Sequence, residues 1–349
     1  MKLCVLGDTH FGMRGDSIAF HNLYRRFYEE VFFPYLEENE IGSIFQLGDL
    51  FDRRKFISFQ TLALSRKYFF DKLKEKDLQF YTLLGNHDIL YKNTLEINSP
   101  NLLLDSYKEN VTLLDEPIAL IFGNTKVDII PWICDENEDE VLEFIKNSKN
   151  QICFGHFELA GFEMDKGNVC HDGMDRAILD KYDMVLSGHF HHKSSDGSII
   201  YVGTPGEMTW ADYNDPRGFH IFDLETRKLE FIQNTYSLFE RFEYDDSRFD
   251  PDGIDTSFVT DKYVKIIVVN KTDLYKFDKF INRVYQRNPL DVKIIEDFSE
   301  FTEGEVDESI NLEDTVSVLS NYIDSLETDT DKEKIKSFMK TLYTEALNR

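Results

Sequence analysis

The first part of the chain alternates between short apolar runs and longer stretches with helical spacing. Apolar runs at residues 2–7, 41–47 and 79–84 have the length of buried strands. Residues 17–39 and 58–76 place apolar side chains at steps of three or four, which is typical of amphipathic helices. This β-α-β-α-β order predicts parallel strands joined by helical crossovers. Ligands collect at the carboxyl ends of such strands, so the residues just after each strand are the first candidates for a functional site.

The middle of the chain changes to short strands separated by turn residues. Two sheets packed face to face, with helices outside, would account for this pattern, and we predict an α/β fold built on a β-sandwich flanked by helices. The strands predicted at 218–222 and 228–232 are expected to form a closing hairpin. The predicted strands are 111–114, 118–122, 126–130, 151–154, 184–186, 199–202, 218–222 and 228–232, with a helix at 138–146.

Beyond residue 237 the pattern predicts a small α/β unit followed by a C-terminal tail. A strand at 263–270, an amphipathic helix at 274–287 and a strand at 292–295 form the small unit. The tail begins with an acidic stretch and ends in two short helices, which cannot bury much apolar surface alone and must pack on the body or on a partner. The predicted domains are therefore 1–237, 238–296, an acidic linker at 297–311 and a helical pair at 312–349.

The first predicted helix is unusually rich in Phe and Tyr. Its spacing predicts one apolar face that contains Phe20, Leu23, Phe27, Val31 and Tyr35. Two interpretations remain open for residues 17–35: packing in the core, or a face that forms a dimer.

Composition supports a globular protein with 349 residues, of which 42% are hydrophobic. That length favours two domains, or one domain with appendages. The four cysteines show no metal-binding spacing, and free buried thiols in a reducing cytoplasm are the simplest interpretation. No apolar stretch approaches the roughly 18 residues of a membrane span. We therefore expect no membrane partner and a cytoplasmic location, which is the host cytoplasm if the protein is viral.

The net charge of −26 argues against an extended nucleic-acid surface, because phosphate binding uses Lys and Arg. The distribution of the charge weakens this objection. Residues 291–330 contain 13 Asp or Glu residues against one base, Lys293. Carboxylates that bind metal would also be neutralised by their ions. Any DNA binding is therefore expected to be local and helped by a partner.

Five stretches share one form, in which an apolar run stops at glycine and is followed by Asp, Asn or His. Each stretch alone is compatible with an ordinary turn. Because all five follow strand-like runs, together they predict one shared site. The stretches are Leu6-Gly7-Asp8-Thr9-His10, Leu47-Gly48-Asp49-Leu50-Phe51-Asp52, Leu84-Gly85-Asn86-His87-Asp88, Phe154-Gly155-His156 and Ser187-Gly188-His189-Phe190-His191.

Seven side chains in these stretches are metal ligands by their chemistry. Mixed oxygen and nitrogen donors suit Mn2+, Fe2+ or Zn2+ better than Ca2+. Seven donors are too many for one ion and suit two ions that share a bridging carboxylate. Two ions about 3.5–4 Å apart can hold a phosphate ester and activate water for in-line attack. The seven residues are Asp8, His10, Asp49, Asn86, His156, His189 and His191.

In this order the five stretches resemble the metallophosphoesterase (calcineurin-like) superfamily over about residues 1–220. The resemblance implies two groups of ligands joined by one carboxylate. Asp8, His10 and His191 would hold one ion, Asn86, His156 and His189 would hold the other, and Asp49 would bridge them.

The resemblance also implies the catalytic residues. His87 would stabilise the phosphate and protonate the leaving oxygen, and Asp88 is a second catalytic candidate because it could orient His87. Asp52 is a candidate for tuning the site. Three basic residues after Asp52 would lie at the mouth of the site, where contact with a substrate phosphate and simple solvation are equally good interpretations. These residues are Arg53, Arg54 and Lys55.

Within the superfamily, several details are similar to the SbcD family of DNA double-strand-break repair nucleases. They include Gly48-Asp49-Leu50-Phe51-Asp52 and the pairing of Gly188-His189-Phe190-His191 with Gly203-Thr204-Pro205. Ile130-Pro131-Trp132 and Asn214-Asp215-Pro216-Arg217-Gly218 look most like the phage recombination-endonuclease members. The resemblance implies a two-metal DNA exonuclease with endonuclease capability, most simply dependent on Mn2+, with Mg2+ as the alternative.

The same resemblance implies partners. The protein would act on DNA as a homodimer bound to an SbcC-type coiled-coil ATPase in a recombination or repair complex. Residues 238–296 would be a DNA-capping domain, and residues 312–349 would dock on the ATPase. Two rival functions remain: a metallophosphatase or phosphodiesterase for small phosphate esters or nucleotides, and a non-enzymatic scaffold.

Overall fold

The computed structural model describes residues 1–296 together with Lys332 and Lys336. Apart from those two lysines, the predicted linker at 297–311 and the predicted helices of 312–349 lie outside the described residues. The first compact unit of the chain is Met1–Glu300, and the described residues 1–296 belong to it.

Two six-stranded sheets make up the larger part of the first unit. The first sheet has the order β14-β13-β1-β2-β3-β4, and the second has the order β11-β12-β10-β7-β6-β5. The strands are β1 Lys2–Leu6, β2 Ser43–Gln46, β3 Gln79–Leu83, β4 Val111–Leu114, β5 Ile118–Phe122, β6 Thr125–Ile130, β7 Ile152–His156, β8 Glu163–Asp165, β9 Asn168–Val169, β10 Met184–Gly188, β11 Ser194–Ser195, β12 Ile199–Tyr201, β13 Gly218–Asp223, β14 Leu229–Gln233, β15 Phe239–Asp245, β16 Tyr263–Asn270 and β17 Asp291–Ile295.

The strands that carry the motifs are parallel, as the alternation of elements predicts. β1 to β4 pair in parallel in the first sheet. β6, β7, β10 and β12 do the same in the second sheet. The predicted closing hairpin is β13 and β14, which pair antiparallel at the edge of the first sheet. Both sheets therefore present the carboxyl ends of parallel strands.

The two sheets share one apolar core. Val5 and Phe45 from the first sheet pack in one cluster with Ile129, Phe154 and Leu186 from the second. The outer face of each sheet is covered by helices, so both faces of every central strand are buried. The predicted β-sandwich flanked by helices is confirmed.

The helices are mostly short, and two long ones contain a π-helical segment. The first long helix runs through Ile18–Phe27, Tyr28–Phe32 and Phe33–Glu38, of which the middle segment is π-helical. The second runs through Phe59–Ser65, Arg66–Phe70 and Asp71–Glu75, again with a π-helical middle. The remaining helices are Met13–Asp16, Ser99–Leu103, Glu138–Asn147 and Leu274–Tyr285, with 3-10 turns at Asp105–Tyr107, Arg176–Leu179, Trp210–Asp212, Pro251–Gly253 and Ser257–Val259.

The π-helical segment corrects the predicted apolar face of the first helix. Phe20, Leu23 and Phe27 are buried as predicted, but Val31 and Tyr35 are only partly buried. From the last residue of the segment onward, the buried positions are Phe32, Phe33 and Leu36, one residue later than predicted, because a π turn contains one residue more than an α turn. The aromatic side chains of this helix pack in the core of the first sheet, which is the first of the two interpretations of residues 17–35.

The small unit after residue 237 contains one strand more than predicted. β15, β16 and β17 form a parallel three-stranded sheet, and the helix Leu274–Tyr285 packs on it through Phe277 and Phe280. This unit has its own apolar cluster. Its first strand also reaches the main body, because Leu238 and Phe239 belong to the core of the first sheet.

All four cysteines are free and buried, as predicted. Among the residues that the structure describes, no helix combines the length and the apolar character needed to cross a membrane.

Candidate metal centre

The five motifs meet at the carboxyl ends of parallel strands. Asp8 and His10 follow β1, Asp49 follows β2, and Asn86 follows β3. His156 is the last residue of β7, and His189 and His191 follow β10. The first three motifs therefore come from one sheet and the last two from the other, so the site lies where the ends of the two sheets meet.

Glycine precedes the ligands because neighbouring loops touch there. A Cβ atom on Gly85 would collide with the main chain and carboxylate of Asp49. A Cβ atom on Gly188 would collide with the carbonyl oxygen of Leu47 and would lie 2.6 Å from Oδ1 of Asp8. No side chain larger than hydrogen fits at these positions without moving a candidate ligand.

The first group of ligands consists of Asp8, His10 and His191. Nε2 of His10 lies 3.1 Å from Nε2 of His191. Oδ2 of Asp8 is 3.9 Å from each of these nitrogens. Three donor atoms from two loops of the fold thus converge on one point, in the arrangement expected for a bound cation.

The second group consists of Asp49, Asn86, His156 and His189. Oδ1 of Asn86 lies 3.1 Å from Nε2 of His156 and 3.0 Å from Nδ1 of His189. Oδ2 of Asp49 is 3.5 Å from Nε2 of His156. The same oxygen is 3.7 Å from Nε2 of His10, which belongs to the first group. Asp49 is therefore the carboxylate that faces both groups.

Three of these ligands are held in a left-handed backbone conformation. The φ angles are 41° at His10, 54° at Asp49 and 87° at His189. Such angles cost free energy for residues with a side chain, about 1–3 kcal/mol each, and persist where the surrounding fold imposes them. The chain accepts this cost at the positions that aim the candidate ligands.

The electrostatics of the site fit a cation. Asp8 is 1% exposed, and its burial raises its pKa to about 7. Burial lowers the pKa of His10, but the carboxylates of Asp52 and Asp49 outweigh this effect and raise it to about 9. Burial and the neighbouring His156 lower the pKa of His189 to about 3, so its imidazole is neutral and free to ligate. Buried carboxylates that draw in positive charge, together with the neutral imidazole of His189, form a donor set that fits divalent metal ions.

His87 lies beside the ligands but is held by different contacts. Its backbone N–H donates to Oδ1 of Asp49 at 2.7 Å, and its Nδ1 donates to the carbonyl oxygen of Asp52 at 2.6 Å. Since a carbonyl oxygen only accepts, the proton is on Nδ1, and Nε2 is left for other chemistry. The imidazole is 4.8 Å from that of His10, edge to face. Burial lowers the pKa of His87 despite the attraction of Asp49.

The predicted role of Asp88 in orienting His87 is corrected by these contacts. Oδ1 of Asp88 accepts from the N–H groups of Leu50 at 2.9 Å and Phe51 at 3.3 Å, and Oδ2 accepts from Gly85 at 2.9 Å. The completely buried carboxylate of Asp88 thus ties the loop that carries Asp49 to its own loop.

Asp52 lies against both histidines. Besides the bond from its carbonyl oxygen to His87, its Oδ1 lies 3.5 Å from Nδ1 of His10. A carboxylate behind a ligating histidine fixes the orientation of the ring. Asp52 also forms, with His10 and His87, a third group of donors within 4.8 Å of one another.

Arg217 supports the loop of His191, and the sequence interpretation did not single it out. Its guanidinium donates to the carbonyl oxygen of His191 and to Oγ1 of Thr204, the latter at 3.0 Å. It is 5% exposed and pairs with Asp212 at 2.5 Å and Asp215 at 2.7 Å. The only signal in the sequence was the stretch Asn214-Asp215-Pro216-Arg217-Gly218, which contributed to the family resemblance alone.

The basic segment after Asp52 is partly exposed. Arg53 lies 3.5 Å from the carboxylate of Asp16, and its guanidinium lies 4.8 Å from the centre of the Phe56 ring. Arg54 is half-buried and Lys55 is exposed. The segment directly follows Asp52, which lies against His10 and His87, so it begins at the edge of the site.

Comparisons with known proteins agree with this geometry. Residues 1–193 match the family model of the calcineurin-like phosphoesterases. The chain is 33% identical over 349 residues to exonuclease subunit 1 of Enterobacteria phage T4, with 99% of each chain covered. It is 21% identical over 261 residues to the SbcD component of the nuclease SbcCD of Staphylococcus epidermidis, which covers 66% of this chain and 67% of that protein.

Among solved structures, the chain is similar to "GAP50 the anchor in the inner membrane complex of Plasmodium". The TM-score is 0.38 and the identity 11%, over 68% of this chain and 90% of that one. This likeness is too low to bear on the fold or on the function.

The family model covers more than half of the chain, and the phage relative matches it from end to end. Families of this kind use divalent metal ions, and the structure brings together candidate ligand groups for them. The chain therefore belongs to the calcineurin-like metallophosphoesterases.

Proposed function

We propose that this protein is a divalent-metal-dependent DNA exonuclease subunit, with endonuclease capability, that hydrolyses phosphodiester bonds. The observation that carries the proposal is the position of Asp49, whose Oδ2 lies 3.7 Å from His10 and 3.5 Å from His156. Its carboxylate faces two groups of ligands, as hydrolysis of a phosphodiester by two ions requires. Both sequence relatives are named nucleases, which supports DNA as the substrate.

The proposed ligand assignment follows the two groups. Asp8, His10 and His191 would hold one ion, Asn86, His156 and His189 would hold the other, and the carboxylate of Asp49 would be shared between them. Mn2+ suits this mixture of oxygen and nitrogen donors, and Mg2+ is the alternative. When bound, the ions supply Lewis acidity and lower the pKa of a bound water molecule.

His87 acts on the leaving group. In the reaction, the oxygen of water forms a bond to phosphorus while the bond from phosphorus to the leaving nucleoside oxygen breaks. That oxygen needs a proton, and the doubly protonated ring of His87 supplies it from Nε2 while its Nδ1–H stays bonded to the carbonyl oxygen of Asp52; the proton that the attacking water loses passes to solvent. The lowered pKa of His87 makes its protonated form a stronger acid than an ordinary imidazolium.

The remaining parts of the chain serve DNA and partners. Arg53, Arg54 and Lys55 contact substrate phosphates at the edge of the site. The unit of residues 238–296 caps the DNA. The chain works as a homodimer in the cytoplasm, and residues 312–349 dock on an SbcC-type ATPase. The net charge of −26 supports a partner that contributes to DNA binding.

The test is degradation of linear double-stranded DNA with Mn2+ or Mg2+. Asp49→Asn removes the bridging charge and should abolish cleavage. Asp128→Asn is the matched control, because Asp128 is an equally buried carboxylate that contacts Asn150 at 2.6 Å and Tyr182 at 2.8 Å. Removal of residues 312–349 should leave the intrinsic nuclease activity in place and abolish stimulation by an ATPase partner.

Two outcomes would separate the levels of the proposal. If small phosphate esters are hydrolysed while DNA is not, the metal centre is retained and the choice of substrate is wrong. If Asp49→Asn retains wild-type activity on DNA, the assignment of the centre itself is wrong.

A further inference from the structure

The indole of Trp132 forms one wall of the metal centre. The centre of its ring lies 5.3 Å from the imidazole of His189 and 5.8 Å from that of His156. Both histidines are proposed ligands of the same ion. Trp132 is therefore in direct contact with this half of the site, as is the buried ring of Phe190, whose centre lies 5.0 Å from that of His189.

The backbone fixes Trp132 in this position. The residue follows β6, which pairs in parallel with β7, the strand that ends at His156. Its N–H donates to the carbonyl oxygen of Leu84 at 2.8 Å, and its own carbonyl oxygen accepts from the side chain of Asn137 at 3.1 Å. These bonds tie the indole to the loop that carries Asn86.

Only part of the indole is used for packing. The side chain is half-buried against a small apolar cluster that contains Leu84, Ile89 and Leu95. In the described part of the chain, its Nε1–H donates to no protein group and is not sealed from water. A buried Trp usually finds a partner for this donor. The indole is thus partly exposed beside the ligands, and its donor is left unused by the described protein groups.

We propose that Trp132 is a stacking subsite for the nucleobase next to the scissile phosphate. This inference rests on the proposed nuclease function and deepens it. Every base has a π-face, so stacking stabilises the substrate by about 1–3 kcal/mol without reading its sequence. Stacking also contributes affinity that does not depend on positive charge, which suits a chain with a net charge of −26.

A consequence concerns the form of the DNA. The π-face of a base is available only when the base is unstacked from its neighbour. The subsite therefore takes an unpaired nucleotide, and cleavage should be faster at frayed or single-stranded ends than at ends closed by stable base pairs.

The first test compares two substrates that share a leaving group. Methyl p-nitrophenyl phosphate has no base and no second aromatic ring, whereas the p-nitrophenyl ester of thymidine 5′-monophosphate has a base. Trp132→Leu should lower kcat/KM for the thymidine ester by about 5- to 150-fold, the range that corresponds to the stacking free energy of one base. It should leave methyl p-nitrophenyl phosphate within threefold of the wild type, and Trp132→Phe should restore most of the loss.

The outcomes distinguish the subsite from a structural wall. Equal losses on both substrates would mean that Trp132 only supports His156 and His189, and no loss on either would mean that no base stacks there. Both results overturn the inference while the nuclease function stands. If the wild type hydrolyses the two esters but not DNA, the proposed function fails instead.

A second readout does not depend on turnover. The chain has two tryptophans, so Trp210→Phe leaves Trp132 as the single tryptophan, whose emission can be excited selectively over that of tyrosine. A single-stranded phosphorothioate oligothymidylate, which resists hydrolysis, should quench its emission in the presence of Mn2+. An abasic phosphorothioate of the same length should quench it much less. Equal quenching by the two oligonucleotides would overturn the inference.

Discussion

Asp88 offers the sharpest test of how the metal centre is held together. Its carboxylate accepts three backbone N–H groups, from Leu50, Phe51 and Gly85, and it is completely buried. Asp88→Ala removes every acceptor from these donors, and Asp88→Asn removes the charge while it keeps one oxygen. Both changes leave the proposed metal ligands and His87 untouched.

The expected loss follows from the number of bonds. A buried donor without a partner costs about 1–3 kcal/mol. Three donors left without a partner set the upper limit of the lost stability. The loss is smaller than this limit, because the alanine variant no longer buries a carboxylate, whose pKa burial raises to about 7 in the wild type. We expect Asp88→Ala to lower the free energy of unfolding by about 3–5 kcal/mol. Asp88→Asn should lower the free energy of unfolding by about 1–3 kcal/mol, because the NH2 group of the amide faces a backbone N–H group and cannot accept from it.

The loss should extend to metal binding, because Asp88 ties the loop of Asp49 to the loop of Asn86. Removal of a residue that supports a ligand typically weakens metal affinity by about 10- to 100-fold. Urea unfolding and titration of Mn2+ against Trp132 fluorescence measure the two effects separately. Asp128→Asn is the control, because it should affect stability but not metal affinity. If Asp88→Asn binds Mn2+ as tightly as the wild type, the two loops do not depend on this carboxylate.

Three further changes test other contacts. His87→Gln should lower the rate of DNA cleavage by about 10²–10⁴-fold with Mn2+ affinity unchanged, and full activity would remove His87 from the mechanism. Burial raises the pKa of Glu207 to about 7, while the N–H groups of Leu238 and Phe239 donate to it. The fold therefore favours its neutral form, so its contribution to stability is present at low pH and is lost as the pH rises through about 7. Glu207→Gln should be more stable than the wild type at pH 8 and equal to it at pH 4 in thermal unfolding; a constant difference would contradict this. Arg217→Met should lower the free energy of unfolding by about 3–5 kcal/mol, because two buried carboxylates lose their partner, and Arg217→Lys should lose less; an unchanged melting temperature would refute the role of this ion pair.

The positions of the candidate ligands were predictable because the signal is local. Where a strand ends against another loop, only glycine leaves room for that loop. The ligand then follows the glycine within one to three residues. Gly85 and Gly188 show this requirement directly, since a Cβ atom at either position would strike Asp49 or Asp8. The parallel order of the strands follows from the same alternation of elements, and both features are visible in the sequence without a structure.

The residues that support the ligands were not predictable, because their side chains contact backbone groups that lie far away in the sequence. Asp88 adjoins His87 in sequence, but its Oδ1 accepts the N–H groups of Leu50 and Phe51 from another loop. Arg217 reaches the carbonyl oxygen of His191 across 26 positions of sequence. Strand β15 was also missed, because its charged residues interrupt the apolar run that would have marked it.

The two π-helical segments have a consequence for insertions and deletions. They pack against each other, with the ring of Tyr28 lying 4.6 Å from that of Phe69. Deleting one residue from Tyr28–Phe32 would restore α-helical spacing and rotate every later position of that helix by about 100°. Leu36 would then turn away from the core. The aromatic rings of the second segment, Arg66–Phe70, would no longer match the surface of the first helix. Homologues that lack the extra residue in one helix should therefore lack it in the other, so that the two length changes are inherited as a pair.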